Sequence, residues 1–131
     1  MAVQRRFELV VGVGIDVVDL REFRAGLTED LADEFFLPGE TGYARTQVRS
    51  WENLGARLAA KRAVFDALGA ASSSVWHEVE VLRGDFGELD VRLSGGTLAL
   101  AERLGVSRCN LSMTHTRETA MAVAILEDGS R

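Results

Sequence analysis

One proline, one cysteine, one lysine and no apolar run of membrane-spanning length bound this 131-residue chain before any motif is read. The lone Cys109 excludes an internal disulfide and fits a reducing compartment. Set among apolar residues, it reads as a buried, inert thiol rather than a nucleophile. Crossing a bilayer takes roughly 20 consecutive apolar residues, and no stretch approaches that, so no membrane partner is expected. Arg5 and Arg6 precede Phe7-Glu8-Leu9-Val10-Val11-Gly12, a strand pattern without the long apolar block and small-residue cleavage site of a secretory signal. The expected location is therefore the cytoplasm. Acidic residues outnumber basic ones, and the net charge of −5 speaks against nucleic acid as a partner. What is present is ordinary globular material, 47% hydrophobic and 27% charged, enough for one domain over residues 1–131 and too well supplied with apolar side chains for disorder.

The run 7–15 is β-rich, broken by Gly12 and Gly14, which point to a bend or a close approach of another backbone. Gly12-Val13-Gly14 is not a dinucleotide fingerprint, because Val17 occupies the third glycine position. Leu20, Phe23, Leu27, Leu31 and Phe35 recur every three or four residues and predict one helix over 19–36, closed by Pro38-Gly39. Residues 44–50 are polar and arginine-containing and predict a mobile loop. Ser50 is a candidate N-cap for the longest helix, 51–68, whose apolar stripe is Leu54, Leu58, Phe65 and Leu68 and whose stop is Gly69. Strands at 76–83 and 89–93 form a hairpin through Gly84-Asp85-Phe86-Gly87. A short helix follows Gly95-Gly96 to about residue 104, and strands at 109–113 and 120–126 flank Thr114-His115-Thr116-Arg117. The expected architecture is α+β, one antiparallel sheet packed on one long helix.

Four segments, in order and in register across nearly the whole chain, carry a resemblance. They are Gly12-Val13-Gly14-Ile15-Asp16-Val17-Val18-Asp19; Ala56-Arg57-Leu58-Ala59-Ala60-Lys61 with Ala67-Leu68-Gly69; Trp76 to Val81 with Gly87 following; and Leu111-Ser112-Met113-Thr114-His115-Thr116 leading into Ala120-Met121-Ala122-Val123. Together they resemble the holo-acyl-carrier-protein synthases, the small 4′-phosphopantetheinyl transferases. The resemblance implies that transferase fold, a homotrimer with active sites between subunits, and transfer of the phosphopantetheine arm of coenzyme A to a carrier-protein serine. It also implies Mg²⁺ held by two carboxylates to neutralise the pyrophosphate as its bond breaks. Asp16 matches the first carboxylate. Lys61 and His115 match site residues, so Asp16, Lys61 and His115 are the expected catalytic set. Arg57, Arg62, Gly69 and Thr116 are the expected cofactor-binding positions. Arg5, Arg6, Arg21 and Arg24 could offer a basic patch to an acidic carrier protein.

Three departures reverse a charge. Arg62 stands where the family has its metal-binding glutamate, Asp66 where a lysine is common one turn later, and Glu22 near an arginine of the first helix. A guanidinium has five donors and no lone pair, so it cannot ligate a hard cation. A cation at position 62 about 4 Å from bound Mg²⁺ would be repelled by several kcal/mol at an effective dielectric of about 20. The alternatives are a bidentate Asp16–Arg62 ion pair, joined by Asp66; an Arg62 turned out to solvent beside a metal completed by water; or a guanidinium that itself holds pyrophosphate. No metal site is therefore expected, with coenzyme A and Mg²⁺ required only if the family reaction survives. His115 reads as a general acid or base or as a structural residue, and Lys61 as a site residue or a solvated helix lysine. His77 reads as a surface residue of the hairpin.

Three functions follow. The first in rank is a diverged enzyme acting on an acyl carrier protein or its pantetheine-bound chain. In it the Mg²⁺-dependent transfer is lost or altered, and Asp16 and His115 serve metal-free acid–base chemistry such as isomerisation, dehydration or cyclisation. The second is a working holo-acyl-carrier-protein synthase, and the third a non-catalytic pseudo-transferase that binds a carrier protein. An arginine-rich, lysine-poor composition fits a GC-rich bacterial source, and the resemblance implies a place in polyketide or fatty acid biosynthesis.

Overall fold

The computed structural model describes residues 9–71, 75–84 and 86–129, so Arg5, Arg6, the start of the first strand and Asp85 of the hairpin turn lie outside the described residues. Strand β1 (Leu9–Asp19) leads into three short helices, α1 (Leu20–Gly26), α2 (Glu29–Phe35) and α3 (Pro38–Arg45), and then the long α4 (Ser50–Ala67). A 3₁₀ turn (Trp76–Glu78) opens the hairpin β2 (Val79–Arg83) and β3 (Leu89–Leu93). Helix α5 (Gly95–Arg103) and the hairpin β4 (Arg108–His115) and β5 (Thr119–Asp128) complete the chain. The α+β architecture on one long helix is as expected, but the strands divide into two antiparallel sheets. One has the order β1-β5-β4 and the other is β2-β3; β3 contacts β4 without a ladder between them.

Local chemistry explains where the expected boundaries moved. The single helix over 19–36 is two helices. Asp19 caps α1, its Oδ1 accepting from the N–H groups of Arg21 and Glu22 at 2.9 and 3.2 Å, and Thr28 Oγ1 accepts from the Leu31 N–H at 3.2 Å to start α2. Pro38 opens α3 instead of closing what precedes it, since its missing N–H costs nothing in a first helical turn. The polar loop at 44–50 shrinks to a turn between Arg45 and Ser50, with Arg49 rather than Ser50 at the N-cap position of α4. The other end of α4 behaves as read, with Gly69 at φ +71° just past it.

Helix α4 is buried on nearly every side. One face lies on β1 and β5, where Ala120, Ala122 and Ala124 carry only methyl groups. Gly12 and Gly14 have nothing to place between strand and helix: a Cβ at Gly14 would fall on the carbonyl oxygen of Ala63, and one at Gly12 on that of Ala67. The remaining faces meet α1, α3, β2 and β4. The stripe Leu54, Leu58, Phe65 and Leu68 is in the core, with Ala56, Ala59, Ala60 and Ala63 letting neighbours approach. Phe35 and Phe65 pack edge-on to Trp76, with ring centroids 5.0 and 5.7 Å away. Among the described residues, nothing covers the opposite face of the three-stranded sheet. Val13, Ile15 and Val17 are more than half exposed, and Met121 on β5 is 39% exposed.

Candidate active site

Asp16 sits on the helix-facing side of β1, opposite Ala122 of β5, where the small residues bring α4 close. Arg62 of α4 reaches it: Nε lies 3.2 Å from Asp16 Oδ2, with the Asp16 side chain 17% exposed and that of Arg62 46%. One turn later Asp66 Oδ2 accepts from the Ile15 N–H at 3.4 Å, placing a second carboxylate beside the Asp16 peptide. Among the described residues, Asp16 Oδ2 has no hydrogen-bond partner. Burial pushes the Asp16 carboxyl above its ordinary value; the Arg62 charge and the Val17 N–H pull it down, and Asp66 adds to the rise. These groups line a cleft of about 340 Å³ whose apolar walls are Ile15, Phe65, Ala71 and Trp76. Arg62 also borders a second cavity of about 500 Å³, shared with Val17, Asp19, Glu22 and Leu58.

His115 is not in that cleft. It ends β4, across β5 from β1, and lines a separate cavity of about 230 Å³ with Gln47, Val48, Arg49, Glu52 and Asn53 at the start of α4. Its Nδ1 lies 3.4 Å from Glu52 Oε1. Within one chain, the expected Asp16–His115 acid–base pair is therefore not assembled, because each residue meets α4 at a different end.

No protein-family model matches the chain. The holo-acyl-carrier-protein synthase of Frankia alni is 42% identical over 120 residues, covering 90% of this chain and 98% of that protein. The chain belongs to the holo-acyl-carrier-protein synthase family. The Streptomyces avermitilis holo-acyl-carrier-protein synthase is 40% identical over the same shares. Among solved structures, the Mycobacterium tuberculosis acyl carrier protein synthase is 35% identical with a TM-score of 0.67, covering 89% of this chain and 96% of that one. A Bacillus anthracis holo-acyl-carrier-protein synthase in complex with CoA (3′,5′-ADP) has a TM-score of 0.75 at 25% identity, covering 90% and 96%.

In this holo-acyl-carrier-protein synthase family member, the carboxylate oxygen that would face a metal faces a guanidinium. The residues present do not fit the pair of carboxylates, at 16 and 62, that the resemblance implies. Arg62 is turned to Asp16, but the pair is not the expected bidentate one: a single Nε contact joins them, and the Arg62 side chain is 46% exposed.

Lys61 is neither solvated nor in the cleft. Its ammonium is wholly enclosed, 2.6 Å from Glu40 Oε1, and donates to the carbonyls of Phe35 at 2.8 Å and Trp76 at 3.0 Å. Burial lowers its pKa, against the raising effect of Glu40. Arg57 is enclosed as well, hydrogen-bonded to Asn53 and lying 4.8 Å from the Tyr43 ring centroid. Gly69 ends α4. Thr116 shapes the β4–β5 turn, its hydroxyl accepting from the N–H groups of Glu118 and Thr119 at 3.2 and 3.1 Å. The four expected cofactor positions are thus scattered, and only Arg62 lines the Asp16 cleft.

Arg21 is ion-paired with Glu118, and Arg24 stacks on Trp51 at 3.8 Å. His77, exposed as expected, sits in the 3₁₀ turn with Nε2 2.7 Å from the Asp33 carbonyl. Cys109 is half-buried, its thiol pushed up to about 11 by burial and by Asp90, in keeping with an inert side chain. Two carboxylates escaped the sequence reading. Glu52 faces His115 and Glu40 pairs with Lys61, each far from its partner along the chain. Glu40 left one local trace, its place two residues after Pro38 in a helix N-terminus, where its Oε1 accepts from the Leu37 N–H at 2.9 Å.

Proposed function

We propose that this protein acts on an acyl carrier protein or on a chain carried by its pantetheine arm, with the family's Mg²⁺-dependent phosphopantetheine transfer lost or altered. The observation that carries this is the Arg62 guanidinium 3.2 Å from Asp16. The names of the relatives support the carrier protein as partner, and the CoA (3′,5′-ADP) complex of the Bacillus anthracis protein supports coenzyme A as the ligand class. In the altered reaction Asp16, whose buried carboxyl holds a proton more readily than an exposed one, serves as acid and His115 as base. The two lie in separate cavities, so the reading requires a homotrimer in which one copy's His115 comes to another's Asp16. The bare apolar face of β1 and β5 supports self-assembly. Lys61 acts from beneath, fixing the Phe35 and Trp76 backbone. The protein works in the cytoplasm, and no helix among the described residues is long and apolar enough to cross a membrane.

One observation favours a second reading, in which the ordinary transfer survives. Asp66 beside Asp16 leaves the cleft with two carboxylates and one cation, the same charge set as the family pattern with its order changed. Intact-mass spectrometry of an apo carrier protein incubated with coenzyme A and Mg²⁺ separates the readings. Under the first, the unmodified protein adds no phosphopantetheine and Arg62→Glu restores addition if position 62 alone blocks the reaction. Addition by the unmodified protein would sink the first reading and establish the second.

A further inference from the structure

Among the described residues, the imidazole of His115 is engaged through one nitrogen. Nδ1 lies 3.4 Å from Glu52 Oε1 and 3.3 Å from the Thr116 carbonyl oxygen. A carbonyl accepts and an ionised carboxylate accepts, and neither has a proton to give. A neutral ring facing two acceptors through the same nitrogen carries its hydrogen there, which leaves the Nε2 lone pair free.

Glu52 is an unusual neighbour for a surface histidine. Its side chain is 6% exposed, in the first turn of α4, and its Oε2 makes no hydrogen bond. Facing it are the Nδ1 of the His115 ring and the Arg49 guanidinium, whose Nε lies 3.5 Å from Oε2. A carboxylate buried this far is costly unless donors or cations face it. The arrangement thus orders Arg49, Glu52 and His115 in a row beside one cavity.

We infer that Glu52 is a positioning residue for His115, holding the neutral ring with its proton on Nδ1 so that Nε2 is the nitrogen that takes a proton in the reaction. A carboxylate behind an imidazole plays this part wherever a histidine must act as base through one defined nitrogen. The inference rests on the reading of His115 as a site base. Its test does not depend on that reading's assay.

The chain has two histidines, and the other is a built-in reference. His77 presents Nε2, not Nδ1, to a carbonyl, 2.7 Å from Asp33 O, so its neutral form carries the opposite hydrogen. Long-range ¹H–¹⁵N correlation spectra of the full chain, labelled at its histidine nitrogens and recorded where both rings are neutral, read the two tautomers directly. His77→Gln and His115→Gln variants assign the signals. The expected result is hydrogen on Nδ1 of His115 and on Nε2 of His77. In Glu52→Leu, shown folded by circular dichroism, the Thr116 carbonyl at 3.3 Å is the acceptor left to Nδ1, so the Nδ1–H population of His115 falls, whereas Glu52→Gln retains an accepting oxygen and keeps hydrogen on Nδ1. Hydrogen on Nε2 of His115 in the unmodified chain overturns the inference, as does an unchanged tautomer in folded Glu52→Leu. If Glu52→Leu does not fold, the unmodified chain decides alone. Addition of phosphopantetheine to the carrier protein by the unmodified chain would count against the proposed function and leave this spectrum intact.

Discussion

At Asp16, two opposing influences on one carboxyl make a prediction about pH. Burial raises its pKa above the ordinary carboxylate value, and the Arg62 charge is the largest influence holding it down. A carboxyl whose folded pKa is raised favours the fold while protonated, below the ordinary aspartate value of about 4, and loses that contribution as pH rises through the folded pKa. Removing the guanidinium in Arg62→Ala raises the folded pKa further and enlarges the cost of the ionised form. Relative to the parent, the variant should therefore lose stability progressively as the pH is raised from about 3 to 7, and the deficit should close again on acidification. Urea unfolding of both proteins across that range checks it, and a deficit independent of pH would mean that Arg62 does not act on Asp16 through charge.

Between elements, two features hold the long helix where it is. Glu40 and Lys61 form an ion pair with neither side chain exposed to solvent, and Glu40 Oε2 also accepts from the Val81 N–H at 3.0 Å, so one pair joins α3, α4 and β2. Lys61→Met leaves the Glu40 charge buried without its partner, a loss of about 3–5 kcal/mol measurable by urea unfolding. A loss below about 1 kcal/mol would instead describe a solvated pair. Gly14 is the second feature. Gly14→Ala drives a methyl group into the Ala63 carbonyl and should cost about 3 kcal/mol or more in thermal or urea unfolding. Gly42→Ala on α3, where nothing lies within 4 Å of the new methyl, should gain about 0.5–1 kcal/mol. Equal effects at the two sites would refute close strand–helix contact.

These two features also mark the edge of what the amino-acid order disclosed. Gly12 and Gly14 announced a close backbone approach, and Gly69 announced the end of α4, because each signal is local. Gly26 and Thr28 are equally local marks of the α1–α2 break, but the spacing of Leu20, Phe23, Leu27, Leu31 and Phe35 runs unbroken across them. The Asp16–Arg62 pairing was within reach because the resemblance put both residues at one site. Glu40–Lys61 and Glu52–His115 were not, since nothing in either neighbourhood names a partner supplied by tertiary packing.

For the molecule as a whole, the exposed apolar face of β1 and β5 bears on the proposed division of the site between copies. Val13, Ile15 and Val17 point away from α4 along β1, with Met121 beside them on β5, and a continuous apolar strip of this kind on a small domain marks a surface that another chain covers. The resemblance names the occupant as two further copies, so sedimentation equilibrium should give about three times the 14.3 kDa chain mass. Val13 is the position to alter, because it is 53% exposed and borders neither the Asp16 cleft nor the His115 cavity. Val13→Glu would bring like charges together at a buried interface, where burying an unpaired charge is strongly unfavourable. The variant should sediment as a monomer while keeping its circular dichroism spectrum. A trimer that survives Val13→Glu would place the interface elsewhere. If the monomer forms, its chemistry is the sharper result: Asp16 and His115 stay in their own cavities, so any carrier-protein reaction catalysed by the parent should disappear. A folded monomer that retained the parent's turnover would show that one chain suffices, and the acid–base partnership between copies would have to be abandoned.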